Sequence, residues 1–128
     1  MMENLAAKSL IEKYVEAYNA FDIEGMLLLM HDEIVFRNIS NGVVNAETEG
    51  KDAFRELAGQ SQKLFSQRCQ TITDYAVKGD RVEVEIDYEG TLAADLPHGP
   101  KAGEKIALKG KSVFKIEDGK LLVIEDYS

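Results

Sequence analysis

Cysteine is almost absent from this chain: Cys69 is the only one among 128 residues. A lone thiol excludes an intramolecular disulfide and a cysteine-based metal cluster, and it fits a reducing compartment. Long apolar runs are missing as well. The longest, Met26–Met30, is far too short to span a bilayer. The opening MMENLAAKSLIEKY carries Glu3 and has no basic start leading into a long apolar core, so no secretory signal is expected. Positive charge is in deficit: 15 Lys and Arg face 23 Asp and Glu, a formal net charge of −8. Nucleic acid and anionic membrane surfaces select clustered cations. Neither is therefore an expected partner, and the expected compartment is the cytoplasm. The two histidines, His31 and His98, show no ligand spacing with each other or with Cys69, so no metal is expected.

What is present is a composition 45% hydrophobic and 30% charged, that of a globular chain rather than a disordered one. The length predicts one domain, residues 1–128, with a real core and no repeat or linker. The most informative stretch is the last, EKIALKGKSVFKIEDGKLLVIEDYS. Ile106, Leu108, Ser112, Phe114 and Ile116 fall on one parity, and Lys105, Lys109, Lys111 and Lys115 on the other. That is the period of a strand with one buried face. Asp118-Gly119 predicts a two-residue hairpin turn, after which Leu122, Ile124 and Asp126 share a parity. One face of a long hairpin is thus apolar, with Ser112 and Asp126 set into it. A carboxylate on such a face needs a reason.

The remaining elements follow from periodicity and punctuation. Residues 4–20 read as a helix, with Leu10, Ile11, Tyr14, Val15 and Tyr18 on one stripe. Asp22 is a candidate N-cap for a short helix over 23–30, ended by His31-Asp32. Residues 33–39 read as a strand with Ile34, Phe36 and Asn38 on one face. A turn at Ser40-Asn41-Gly42 leads into an extended excursion ending at Gly50. A third helix covers 52–65, weakened by Gly59 and Ser61. Strands over 69–78 and 81–92 flank a turn at Gly79-Asp80; Val82, Val84, Ile86 and Tyr88 point in, and Glu83, Glu85, Asp87 and Glu89 point out. Pro97, Gly99, Pro100 and Gly103 make 93–103 a loop. Helices followed by a meander predict an α+β domain.

The runs YVEAYNAFDIEGMLLLMHDEIVF, EGKDAFREL and SVFKIEDGKLLVIED, in this order and spacing, resemble the nuclear transport factor two-like superfamily. Within it the chain is similar to the SnoaL-like polyketide cyclases and the ketosteroid isomerases. The resemblance implies a cone-shaped, cystatin-like roll, with three N-terminal helices packed in a curved, mainly antiparallel sheet around a deep pocket. It also implies a homodimer through the outer face of the sheet, and no cofactor. The isomerases' hydroxyl donor falls on Tyr14. Their catalytic base falls on Asn38 and their protonated aspartate on Ser112, so one of three functional positions is kept. An amide takes up no proton near neutral pH, which argues against isomerase chemistry with that base. SnoaL-like members often carry a pocket-facing acid near the end of the last strand, where this chain has Asp126.

The expected pocket is lined by Tyr14, Tyr18, Phe36, Asn38, Tyr88, Ser112, Phe114, Ile124 and Asp126, the apolar lining with a few polar groups that suits a hydrophobic small molecule. Asp126, Tyr14 and Asn38 are the candidate catalytic groups. Desolvated, Asp126 would have a raised pKa suited to general acid or base work; near the C-terminus it could equally be solvated on a frayed strand. Tyr14 and Tyr18 are ligand donors or core tyrosines. Asn38 holds a ligand or caps its strand, and Ser112 binds the ligand or backbone. His31 fits the C-terminal dipole of the helix before it, and His98 sits in a loop that either lids the pocket or lies exposed. The acid row 83–89 is either solvated or paired with the lysine row. Three functions compete: a cofactor-free isomerase, cyclase or dehydratase moving protons on a hydrophobic carbonyl compound; a non-catalytic ligand-binding module; and an interaction domain whose interior its own side chains fill.

Overall fold

The first apolar stripe becomes helix α1 (Met2–Asn19) in the computed structural model, which describes residues 2–96 and 99–128, with side chains from residue 6 onward. Ile11, Tyr14 and Val15 are buried on this stripe, with Leu10 and Tyr18 packed at its edges. The helix closes with paired backbone bonds, from Asp22 N–H to the Ala17 carbonyl at 2.8 Å and from Phe21 N–H to the Tyr18 carbonyl at 3.1 Å. This closure needs a left-handed residue, usually glycine; here Phe21 takes it, at φ 57°. Asp22 then caps α2 (Ile23–Leu28), its carboxylate accepting from Gly25 N–H at 2.9 Å.

The strands are β1 (Met30–Ser40), β2 (Val43–Glu49), β3 (Phe65–Lys78), β4 (Arg81–Leu92), β5 (Lys105–Glu117) and β6 (Lys120–Tyr127), with α3 (Lys51–Gln62) between β2 and β3. They form one sheet in the order β2-β1-β6-β5-β4-β3. Among the described residues only the β1–β6 pair is parallel. Helix α3 touches β1 and β2 near one edge and β3 at the other, so the sheet curls around it. The result is the expected α+β roll.

Four boundaries differ from the sequence reading, each because strand pairing overrides local propensity. Helix α2 stops at Leu28, not Met30, because Met30 pairs with Leu121 and the Leu29 carbonyl accepts from Leu121 N–H at 2.9 Å. His31 therefore lies in β1, with its Nδ1 accepting from Glu33 N–H, rather than at a helix end. The excursion after Gly42 is a full edge strand, set by the Asn41-Gly42 turn (φ 52° and 79°). Its side chains are mostly exposed, so no apolar alternation marked it. Helix α3 ends at Gln62, and Phe65 already pairs with Leu92.

The final hairpin turns at Asp118-Gly119 (φ 54° and 74°), the left-handed pair a two-residue hairpin requires. A bulge between Lys115 and Ile116 shifts its register. The bulge turns Leu121 fully into the core and leaves Leu122 half-buried, the reverse of simple alternation from the turn. Leu108 is on the inner face opposite Tyr88, as expected, but lies exposed at its rim. On the outer face the acid and lysine rows meet: Glu83 binds Lys78 at 2.7 Å and Lys111 at 2.9 Å, Asp87 lies 3.7 Å from Lys109, and Lys115 lies 3.4 Å from Asp80.

Phe114 sits at the centre of the core, 1% exposed and edge-on to Tyr14 with ring centroids 5.8 Å apart. Truncating such a ring leaves a cavity that close packing cannot refill. Phe114→Ala is expected to lower the unfolding free energy by about 3–5 kcal/mol in urea titration, whereas Leu108→Ala at the exposed rim changes it by less than about 1 kcal/mol.

Candidate functional site

Between the helices and the inner face of the sheet lies a cavity of about 350 Å³. Strand register decides what faces it. Asn38 on β1 pairs with Asp126 on β6, and Asp126 pairs with Ser112 on β5, so three polar side chains form one row across the sheet. All three line the cavity. The Ser112 hydroxyl donates to Asp126 Oδ1 at 2.6 Å, the short distance of a charge-assisted bond. Burial raises the Asp126 pKa from its ordinary 3.8 to about 6, with the Ser112 hydrogen bond opposing the rise. Asp126 as a whole residue is half-buried, and it is the burial of its carboxyl that drives the rise.

The row below is apolar: Phe36 pairs with Ile124, and Ile124 with Phe114. Phe36 reaches the cavity. Phe114 and Ile124, expected in the lining, do not; both are sealed in the core beneath. Alternation gives the face a side chain occupies but not the depth at which the hollow ends. From α1, Tyr14 and Tyr18 face the cavity. Burial, then the negative charge of Asp126, holds the Tyr14 hydroxyl well above its usual pKa, so at neutral pH it is a donor. The Tyr18 hydroxyl donates to that of Tyr88 at 3.4 Å, and burial raises both their pKa values. His98 lies outside the described residues, and with it the expectation of a lid there.

Among the lining residues outside the expected set are two polar ones on β3, Arg68 and Gln70. They face inward with Ile72, because Arg68 pairs with Gly90, Gln70 with Tyr88 and Ile72 with Ile86. The parity was legible, but a strand begun at residue 69 left Arg68 outside it, and polar residues give no apolar alternation. Arg68 is only 7% exposed. Its guanidinium lies 3.7 Å from the Tyr18 ring centroid and 4.5 Å from that of Phe21, and its Nε donates to the Tyr18 carbonyl at 3.1 Å. Phe54, Leu57 and Ala58 of α3, together with Leu64 and Phe65, complete the apolar wall. Gly90 makes room for Phe65: a Cβ there would sit 2.9 Å from its ring. Among the described residues no three His, Cys, Asp or Glu side chains gather as metal ligands, and no helix is long and apolar enough to cross a membrane.

The SnoaL-like domain profile matches residues 11–124. The chain belongs to the SnoaL-like domain family. Its fold is similar to that of a candidate polyketide cyclase from Xanthomonas campestris pv. campestris, at 22% identity and TM-score 0.80, over 97% of this chain and 90% of that one. It is similar to IdmH, a candidate polyketide cyclase from Streptomyces antibioticus, at 17% identity and TM-score 0.76, over 93% and 88%. An uncharacterised cystatin-fold protein from Novosphingobium aromaticivorans aligns at 20% identity and TM-score 0.70, over 92% and 94%. At these identities the likeness establishes the fold. No curated protein sequence matches the chain.

The raised pKa of Asp126 has a stability consequence. The fold holds this proton more tightly than the unfolded chain does, so the carboxylate costs nothing below 3.8 and carries its full penalty above about 6. Asp126→Asn is expected to stabilise the protein at neutral pH by up to about 3 kcal/mol, with the gain vanishing below about pH 4. Urea unfolding of both proteins at the two pH values measures this; an Asn variant less stable than the parent at neutral pH would contradict it.

Proposed function

We propose that the cavity is a cofactor-free proton-transfer site for a hydrophobic carbonyl compound, in the isomerase, cyclase or dehydratase class. The observation that carries the reading is a desolvated carboxylate, hydrogen-bonded to Ser112, in an otherwise largely apolar hollow. A base with pKa about 6 is mostly ionised at neutral pH, yet basic enough to take a proton from carbon next to a carbonyl. Asp126 is the base. It removes that proton, and the electron pair moves onto the carbonyl oxygen as an enolate. Tyr14, whose hydroxyl stays protonated, donates to that oxygen, and the Asn38 amide is the second donor. The enolate then either recovers the proton from Asp126 at another carbon, which is isomerisation, or attacks a second carbonyl of the same molecule, whose oxygen takes the electron pair and then the proton from Asp126, which is cyclisation.

Asn38 and Ser112, standing where the ketosteroid isomerases carry carboxylates, favour the second reading, a non-catalytic binding module. There Asp126 would only hydrogen-bond the ligand. The interaction-domain reading required an interior filled by its own side chains, and a cavity of this size does not support it. A homodimer through the sheet's outer face would bring together the paired acid and lysine rows, so it would be a polar interface.

The test uses β-tetralone, a minimal hydrophobic ketone, in deuterated buffer, with exchange next to the carbonyl followed by proton NMR. The protein is expected to accelerate exchange, with kcat/KM rising with pH and levelling off above about pH 6. Asp126→Asn should lower it by about 10²–10⁴-fold. Full activity in that variant would remove Asp126 from the mechanism; binding without exchange would favour the binding module.

A further inference from the structure

Arg68 is a buried cation with no carboxylate partner among the described residues. Every other arginine with a described ion pair meets an acid: Arg37 meets Glu47 and Glu125, Arg55 meets Glu24 and Asp52, and Arg81 meets Glu125. Those side chains are one-third exposed or more, whereas Arg68 is 7% exposed and has no ion pair among the described residues. A desolvated charge normally has a partner. The end of α1 supplies part of one. The Tyr18 carbonyl accepts from Nε, and the negative end of a helix favours a cation. The rings of Tyr18 and Phe21 add cation–π attraction.

These contacts use one N–H of five. The N–H groups on the two terminal nitrogens have no hydrogen-bond partner among the described residues, and Arg68 lines the cavity. Its positive charge opposes the burial-driven rise in the pKa of Tyr14, Tyr18 and Tyr88, so the guanidinium lies within electrostatic reach of the cavity hydroxyls. Gln70, the next inward residue on β3, has Oε1 buried without a partner. The unpartnered Arg68 N–H groups call for an acceptor, and the Gln70 amide beside them calls for a donor such as a bound water, so this corner leaves polar groups for something other than the chain to meet.

We propose that Arg68 anchors a carboxylate on the ligand, so that the substrate class is a hydrophobic oxo-acid rather than a neutral ketone. A guanidinium with its terminal N–H groups free matches a carboxylate in bidentate fashion. The anchor and the base rise from different rows of the sheet: on β5, Ser112 pairs with Asp126, while Ile106 lies on the Gly90 and Arg68 row. The acid head of the ligand is therefore kept away from the Asp126 carboxylate, its apolar body lies against Phe36, Phe54 and Phe65, and the carbonyl is held near Tyr14. This substrate class rests on the reading of the cavity as a ligand site and on Asp126 as its base.

The test compares β-naphthoic acid with its methyl ester, titrated into the protein by calorimetry at neutral pH. The two share an apolar body and differ in charge. The acid is expected to bind at least about tenfold more tightly than the ester. Arg68→Met should remove that preference while leaving ester affinity within about twofold, and Arg68→Lys should keep part of it. Ester binding also serves as the check that a variant is folded; if Arg68→Met does not fold, the comparison within the parent protein decides alone. Equal binding of acid and ester by the parent, or an equal loss of both in Arg68→Met, would overturn the anchor while leaving the cavity as a ligand site. Binding of neither probe would overturn the ligand-site reading and the anchor with it.

Discussion

The hydrogen bond from Ser112 to Asp126 depends on the register of the last hairpin. A slip of one residue would turn the carboxylate to the outer face, among charges that need no burial. Three features hold that register: the left-handed pair at Asp118-Gly119, the bulge after Lys115, and the parallel pairing of β6 with β1. The same pairing brings Asn38 beside Asp126, so one alignment of three strands assembles the polar row. The row sits directly above the sealed layer of Ile124 and Phe114, which excludes water from below and contributes to the rise in the carboxylate's pKa. Stability and chemistry oppose one another at this point. Asp126 is the group the fold would be more stable without, and it is also the group with a pKa suited to proton transfer.

Charge is distributed so that the two sides of the sheet do different work. Outside, carboxylates and lysines pair across strands in water, where each pair contributes little. Inside, a few charges stand without full compensation: a carboxylate at the β6 end and a guanidinium at the β3 end, with Tyr14 sensing both. In a low-dielectric hollow such groups act over longer distances than they do outside. On the proposed reading, a ligand entering between them would meet an oriented field, which would fix the end of the molecule that faces Asp126.

Much of this was legible in the sequence. Alternation in β4 and β5 placed Val82, Val84, Ile86, Ser112 and Phe114 inward, Asp118-Gly119 marked the last hairpin, and the turns at Asn41-Gly42 and Gly79-Asp80 were legible as turns. The inward position of Asp126 followed from parity on its own strand. What could not be read has two causes. The first is that pairing partners, not local pattern, decide where elements stop, as at Leu28 and Gln62. The second is that period-two reasoning fails at bulges and carries no depth. Leu121 is in the core because of a bulge, while Phe114 and Ile124 share the correct face and lie too deep to meet a ligand. Arg68 was missed because a charged residue at a strand start looks like a solvated one until a helix end and two aromatic rings are brought around it.

The central claim is that Asp126 is a desolvated carboxylate poised near neutrality. The most direct measurement is a carbon-13 NMR titration of the Asp126 side-chain carboxyl, assigned by comparison with Asp126→Asn. The account predicts an inflection at about pH 6. An inflection at or below the ordinary 3.8 of a solvated aspartate would contradict it.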